Sequence, residues 1–207
     1  MPVMPIPIRK KQLARVLQSI DAHPKPNAYL EQYTIPADLA AEMLFYACYV
    51  YEDIKDKSVL DMGTGTGRLA IGAAMLGARD VAGVDLDEPA LEVASVSSKQ
   101  FGLKVDWVLG DVRCLRGRVD TVLMNPPFGT KRPHADVNFL QVALDLGYVV
   151  YSIHKTSTRK FLLDWLGRHG AMGRILMSTE MELAHQFAFH TRKRHHVSVD
   201  IFRVKSP

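Results

Sequence analysis

From Lys57 to Ile153, short β-branched runs alternate with glycine-stopped amphipathic segments, and this alternation leaves the chain few folds to adopt. Strand-like runs fall at Lys57–Met62, Val81–Val84, Val105–Leu109, Val119–Met124 and Tyr148–Ile153. Arg68–Leu76, Glu88–Phe101 and Asp136–Leu146 have helical character. Gly77 and Gly102 stand where helices commonly stop, and Pro89 suits a first turn. A further helix at Ser157–Leu166 and strands at Arg174–Ser178 and Val197–Val204 follow. The pattern predicts an α/β protein with an open, mostly parallel seven-stranded sheet and helices on both faces. No helical pattern separates the last two strands. Thr179–His190 reads as a long irregular connection, so the last strand is expected to return antiparallel and lie at an edge.

Ahead of the sheet, Leu13, Val16, Leu17 and Ile20 recur at helical spacing and predict a helix from Arg9 to Asp21. A second helix, apolar on most faces, is expected from Pro36 to Tyr51. Residues 1–51 thus read as a helical cap and 57–207 as the sheet, within one domain of 207 residues. No apolar run approaches the ~20 residues a membrane helix needs. Prolines interrupt MPVMPIPIRKKQ where a signal peptide has its apolar core, which points to a cytoplasmic protein. Cys48 and Cys114 form neither a disulfide framework nor a metal-ligand spacing, so no metal site is expected. Charge is uneven. Residues 151–207 hold ten Lys and Arg against four Asp and Glu, whereas residues 1–150 hold sixteen against eighteen. A basic last quarter suggests an anionic partner, with a solvated surface as the alternative.

Ligands in such sheets bind beyond the carboxyl ends of the strands, so the residues there are the candidates. The first end is Asp61-Met62-Gly63-Thr64-Gly65-Thr66-Gly67, a turn whose glycines admit close approach of a ligand. The strict dinucleotide spacing fails, because Arg68 stands where its third glycine would be. A relaxed match at Gly65, Gly67 and Ala70 leaves a nicotinamide cofactor open. The second end is Asp85, able to accept both hydroxyls of a ribose; Asp87 beyond it suits a helix cap. The third is Gly110-Asp111, placed to accept from an adenine amine or to cap a turn. The fourth is Asn125-Pro126-Pro127-Phe128. Two prolines fix φ and remove two donors, so neither helix nor ladder continues through them. Asn125 is therefore expected extended at a strand tip. Its side chain and the nearby carbonyls would face a ligand, with Phe128 an aromatic that no core obviously needs. Acceptors beside an aromatic face suit a planar amine.

In that order, these strand ends resemble those of S-adenosylmethionine-dependent methyltransferases of the Rossmann-like class. With Glu31-Gln32-Tyr33, Met124-Asn125-Pro126-Pro127-Phe128-Gly129-Thr130-Lys131 and Ser152-Ile153-His154-Lys155, the chain from Lys10 to Val204 resembles the methyltransferase-like five family and its archaeal relatives. That family methylates N6 of an adenosine in small-subunit ribosomal RNA. The resemblance implies that Gln32, Gly63, Gly65, Thr66, Asp85, Leu86, Asp111 and Asn125 contact S-adenosylmethionine, and Arg68 through its backbone. Asn125, Pro126, Pro127 and Phe128 would hold the base, with Phe128 stacked on it. Eukaryotic members work with a small zinc-binding activator protein through an edge strand, for which the side beyond Val105–Leu109 is the place to look. Ile35 departs from the family, which carries threonine there, and Arg68 stands where relatives carry an apolar residue.

An RNA substrate gives the basic residues a role. His154 and Lys155 at the fifth strand end, and Arg192, Lys193 and Arg194 before the last strand, are candidates for phosphate contact. The alternative for His154 is a structural hydrogen bond. Other readings of the same motifs are methyl transfer to N2 of guanine in RNA or to a glutamine amide of a release factor. A non-catalytic RNA-binding module leaves Asn125 and Asp85 unused, and a nicotinamide reductase leaves Asn-Pro-Pro-Phe unexplained.

Overall fold

The computed structural model describes residues 8–27, 31–128, 135–184 and 194–207. Helix α1 (Lys10–Gln18) precedes α2 (Ala37–Phe45), which widens into a π-helical turn over Tyr46–Val50. Then come β1 (Ser58–Met62), α3 (Arg68–Met75), β2 (Asp80–Asp85), α4 (Glu88–Gln100), β3 (Asp106–Leu109) and β4 (Val119–Met124). The chain continues through α5 (Ala135–Leu146), β5 (Gly147–Lys155), α6 (Arg159–Arg168), β6 (Met172–Ala184) and β7 (Arg194–Lys205).

The strands form one sheet in the order β3-β2-β1-β4-β5-β7-β6. Strands β1 to β5 are mutually parallel, and β7 is antiparallel to both β5 and β6. The antiparallel last strand is as expected, but its place is not. It lies between β5 and β6, and β6 takes the edge. The irregular connection expected at Thr179–His190 is strand as far as Ala184. There β6 and β7 stay paired from Thr179↔Val199 to Ala184↔Arg194, past the end of β5 at Lys155↔Val199. Gly129, Thr130, Lys131, Arg192 and Lys193 lie outside the described residues.

Adjacent residues of a strand face opposite sides of the sheet, and two buried layers result. Val59, Leu123, Tyr151 and Ile153 join α1, α2 and α3 on one side. Leu60, Val122, Val150 and Phe202 join α5 and α6 on the other. The N-terminal helices are therefore part of the layer that covers the sheet.

Register decides where chemistry can occur. Met62 pairs with Val84 on one flank and with Met124 on the other. The residues that follow, Gly63, Asp85 and Asn125, leave the sheet side by side. The strand order reverses direction between β1 and β4, and a crevice opens at such a point in a parallel sheet.

Candidate active site

The turn after β1 is held from both sides. Gly63 and Thr64 donate their amides to the Val84 carbonyl at 2.9 and 3.0 Å. Gly65 donates to Asp85 Oδ2 at 2.8 Å. Inside the turn, Asp61 Oδ2 accepts from the Thr64 hydroxyl at 2.6 Å and from the Ala70 amide at 3.0 Å, which fixes the start of α3. Asp61 is buried, and burial pushes its carboxyl up to about 7 despite those two bonds. Burial also raises Asp85, against the amides of Gly65 and Asp87 that lower it.

Asp87 caps α4 by accepting the Ala90 amide at 3.0 Å. It also holds the segment before α2. Gln32 Nε2 donates to Asp87 Oδ2 at 2.9 Å, and His23 Nε2 lies 3.1 Å from Oδ1. His23 Nδ1 accepts the Lys25 amide, so Nε2 carries the ring proton toward Asp87. Burial raises Asp87, but the Gln32, Ala90 and His23 donors outweigh it and hold the carboxyl below its usual range. Asp111 caps the turn Val112–Cys114 through the Arg113 amide and receives the Arg113 guanidinium as well.

Residues 31–35 cross the mouth of this arrangement. Arg68 donates from Nη1 to the Ile35 carbonyl at 2.6 Å and from Nη2 to the Ile20 carbonyl at 3.2 Å. Asn125 donates from Nδ2 to the Tyr33 carbonyl at 3.3 Å. Its Oδ1 is buried and has no hydrogen-bond partner among the described residues.

One cleft of about 340 Å³ unites these parts. Gln32, Gly63, Gly65, Thr66, Arg68, Asp85, Leu86, Asp111 and Asn125 all line it, as does Pro127. Asp61, Tyr33, Asn138 and Phe139, given no ligand contact from the sequence, line it too. Asp61 had a signal, a carboxylate two residues ahead of the glycines. Asn138 and Phe139 sit in the first turns of α5 and had none.

Five expected contacts change. Gln32 turns its amide to protein: Nε2 is bound to Asp87, and Oε1 accepts the Asn27 amide. The Arg68 side chain, set aside in the sequence reading, holds two backbone carbonyls. Phe128, expected free to stack on a base, is 8% exposed and belongs to the buried cluster of Tyr151, Met181 and Val199. The ammonium of Lys155 lies 5.6 Å over its ring. His154, a candidate for phosphate contact or for a structural hydrogen bond, is 1% exposed. Its Nε2 lies 2.7 Å from the Ser152 hydroxyl, its Nδ1 3.7 Å from Asp136 Oδ2, and its ring meets Phe202 edge-on. A side chain so enclosed cannot reach RNA, and the structural alternative describes it. Pro126 is buried and does not line the cleft.

The cleft fits a cofactor with amino and hydroxyl donors. Asp61 Oδ1 and Thr66 Oγ1 are buried there without hydrogen-bond partners among the described residues. A Cβ on Gly65 would meet nothing within 4 Å, so the turn leaves open space at that point. Acceptors are supplied by Asp85 and Asp111. A sheet reversed at its seventh strand, with these residues at its switch point, defines an S-adenosylmethionine-dependent methyltransferase of the Rossmann-like class.

Comparison with known proteins carries the assignment further. The family model for ribosomal protein L11 methyltransferase (PrmA) matches residues 46–125, which end at Asn125. The rRNA N(6)-adenosine-methyltransferase Mettl5 of Drosophila melanogaster is 38% identical, over 95% of this chain and 96% of that protein. METTL5 of Danio rerio is 36% identical, over 95% of this chain and 98% of that protein. The crystal structure of PH1948 from Pyrococcus horikoshii matches with a TM-score of 0.87 and 39% identity, over 96% of this chain and 98% of that one. The chain belongs to the METTL5 family of rRNA N(6)-adenosine-methyltransferases.

Proposed function

We propose that this protein methylates N6 of an adenosine in small-subunit ribosomal RNA, with S-adenosylmethionine as donor. The observation that carries the reading is Asn125 Oδ1, a buried acceptor at the tip of β4 with no hydrogen-bond partner among the described residues. An unmet buried acceptor costs about 1–3 kcal/mol, which a donor from substrate would relieve.

An exocyclic amine is a poor nucleophile because its lone pair is delocalised into the ring. Asn125 Oδ1 accepts one of its N–H bonds and aims the nitrogen. That acceptor strengthens its hold as positive charge develops on the nitrogen. When bound, S-adenosylmethionine supplies an electrophilic methyl group on a sulfonium. Asp85 and Asp111 hold the cofactor's ribose and adenine, and Asp61 faces its amino group. Pro127 borders the same cleft, and the turn Gly63–Gly67 gives close backbone approach. The base must be unstacked to enter.

For RNA, the paired extension of β6 and β7 brings Arg194 beyond the end of β5, on the side where Asn125 leaves the sheet. Arg194 and Lys155, with Arg192 and Lys193, contact phosphate in this reading and position the RNA without reading its sequence. A small zinc-binding activator protein pairs with the outer edge of β3, where Val108 and Leu109 are exposed. Co-purification with and without that edge strand's apolar residues tests the partner. The site of action is the cytoplasm. Among the described residues no helix is long and apolar enough to cross a membrane.

Radiolabelled methyl transfer to ribosomal RNA, followed by nucleoside analysis, tests the main reading. Label in N6-methyladenosine, lost in Asn125→Ala with cofactor binding kept, is the expected result. Label in guanosine or in protein overturns it.

A further inference from the structure

Arg68 is 8% exposed; its Nη1 and Nη2 hydrogen bonds go to two backbone carbonyls, and its Nε is buried without a partner among the described residues. Burial alone lowers its pKa, yet a guanidinium stays charged. Burying a charge is unfavourable unless hydrogen bonds replace its lost hydration, and here two backbone carbonyls do so. What Arg68 holds is the Ile35 carbonyl, at the end of the stretch 31–35 over the cleft, together with the Ile20 carbonyl beyond α1. Between them lies Tyr33, whose carbonyl accepts Asn125 Nδ2 at 3.3 Å.

That last bond decides which way the Asn125 amide faces. An amide side chain can turn over and exchange its oxygen for its nitrogen. A carbonyl takes a donor alone, so the Tyr33 carbonyl keeps Nδ2 on the segment and leaves Oδ1 as the open acceptor. A turned amide would point a donor at the incoming amine. The orientation of Asn125 therefore depends on where residue 33 sits, and Arg68 pins the chain two residues further on, at Ile35. Gln32 on Asp87 is the other tether.

We propose that Arg68 is a positioning residue for methyl transfer: it fixes the Tyr33 carbonyl through its bond to Ile35, and so keeps Asn125 Oδ1 available as the amine acceptor. The proposal rests on the role given to Asn125 above. The resemblance to relatives assigned Arg68 a backbone contact alone; here its side chain links the cofactor side of the cleft to the acceptor side.

The test uses the full chain and two readouts. Arg68→Met keeps the apolar stem and removes the donors. Side-chain amide hydrogen exchange at Asn125, followed by NMR, is expected to speed up at least about tenfold, with core strand amides unchanged. In parallel, kcat on ribosomal RNA is expected to fall about tenfold or more while KM stays within about threefold. Arg68→Lys, which can hold one carbonyl, is expected to restore part of both, and it replaces Arg68→Met if that variant does not fold. Unchanged Asn125 exchange overturns the proposal, as does a loss confined to KM. The exchange readout needs no turnover, so it separates failure of this proposal from failure of the methylation reading.

Discussion

The Gly65 amide and Asp85 Oδ2 stand 2.8 Å apart, which ties the turn after β1 to the last residue of β2. The other carboxylate oxygen accepts the Asp87 amide at 3.0 Å, so one side chain sets both the glycine turn and the entry to α4. Each oxygen keeps a lone pair for a ligand hydroxyl. Asp85→Ala is expected to weaken binding of S-adenosylhomocysteine by about 10–100-fold, the range for losing a charge-assisted hydrogen bond at 1.5–3 kcal/mol. Isothermal titration reads this directly. Unchanged affinity would reduce Asp85 to a loop anchor.

Asp61 makes stability depend on pH. Its folded pKa is about 7, above the usual 3.8, because it is buried. The folded state therefore holds a proton that the unfolded state gives up. The stability this provides is complete below about pH 4 and is lost as pH rises through about 7. Asp61→Asn, which keeps the shape and cannot ionise, is expected to flatten that fall and to be the more stable protein at pH 8. It is also expected to bind S-adenosylhomocysteine more weakly, since a neutral amide faces the cofactor's amino group. Urea unfolding across pH 4.5 to 8 checks the sign. An identical slope in both proteins would remove Asp61 as its source.

His154 is a residue of the interior, and its loss should be felt as stability. Nε2 meets the Ser152 hydroxyl, and Nδ1 faces Asp136, whose carboxyl is raised by burial but held below its usual range by His154 and by the Val137 amide. His154→Ala leaves both partners buried without it and removes the edge contact to Phe202. A loss of about 2–4 kcal/mol is expected, as for a buried polar group stripped of its partner together with a cavity. RNA affinity, measured by filter binding where the variant is folded, should be unchanged. A stable His154→Ala protein with weakened RNA binding would restore the phosphate role.

The sequence made the sheet legible because β-branched runs, helix-stopping glycines and strand-end carboxylates are local signals. Gly63, Asp85 and Asn125 could be placed side by side from chain order and the switch-point rule alone. What stayed hidden depends on distant chain. Phe128 looked free because the buried cluster it joins draws Met181 from β6 and Val199 from β7. The alternation of Glu180 and Glu182 with Met181 and Leu183 was the period-two signal that β6 continues. Arg68 binds two backbone carbonyls, and carbonyls have no letter in a sequence. His154 takes its burial from Asp136 and Phe202, neither of them near it in the chain.

Gly65 and Gly67 separate ligand contact from packing within a single turn. Both have positive φ, +54° and +84°, so a side chain at either is strained by about 1–2 kcal/mol. Their surroundings differ. A Cβ on Gly67 would stand 2.6 Å from Trp107 Cη2 and 2.9 Å from the Ala94 Cβ, where α3 closes against α4 and β3. One on Gly65 would project into open space beside the cleft. Gly67→Ala must displace Trp107, whose indole donates to the Ser98 hydroxyl at 3.2 Å. Overpacking of that kind adds about 1–3 kcal/mol to the strain, so a marked drop in Tm is expected. Gly65→Ala should lower Tm by a few degrees at most, yet weaken S-adenosylhomocysteine binding tenfold or more, because its methyl occupies the space where the cofactor approaches the backbone. Thermal unfolding with and without S-adenosylhomocysteine measures both effects in one experiment. If Gly65→Ala binds as the wild type does, the cofactor does not lie against this turn, and the placement of Asp85 and Thr66 beside it fails as well.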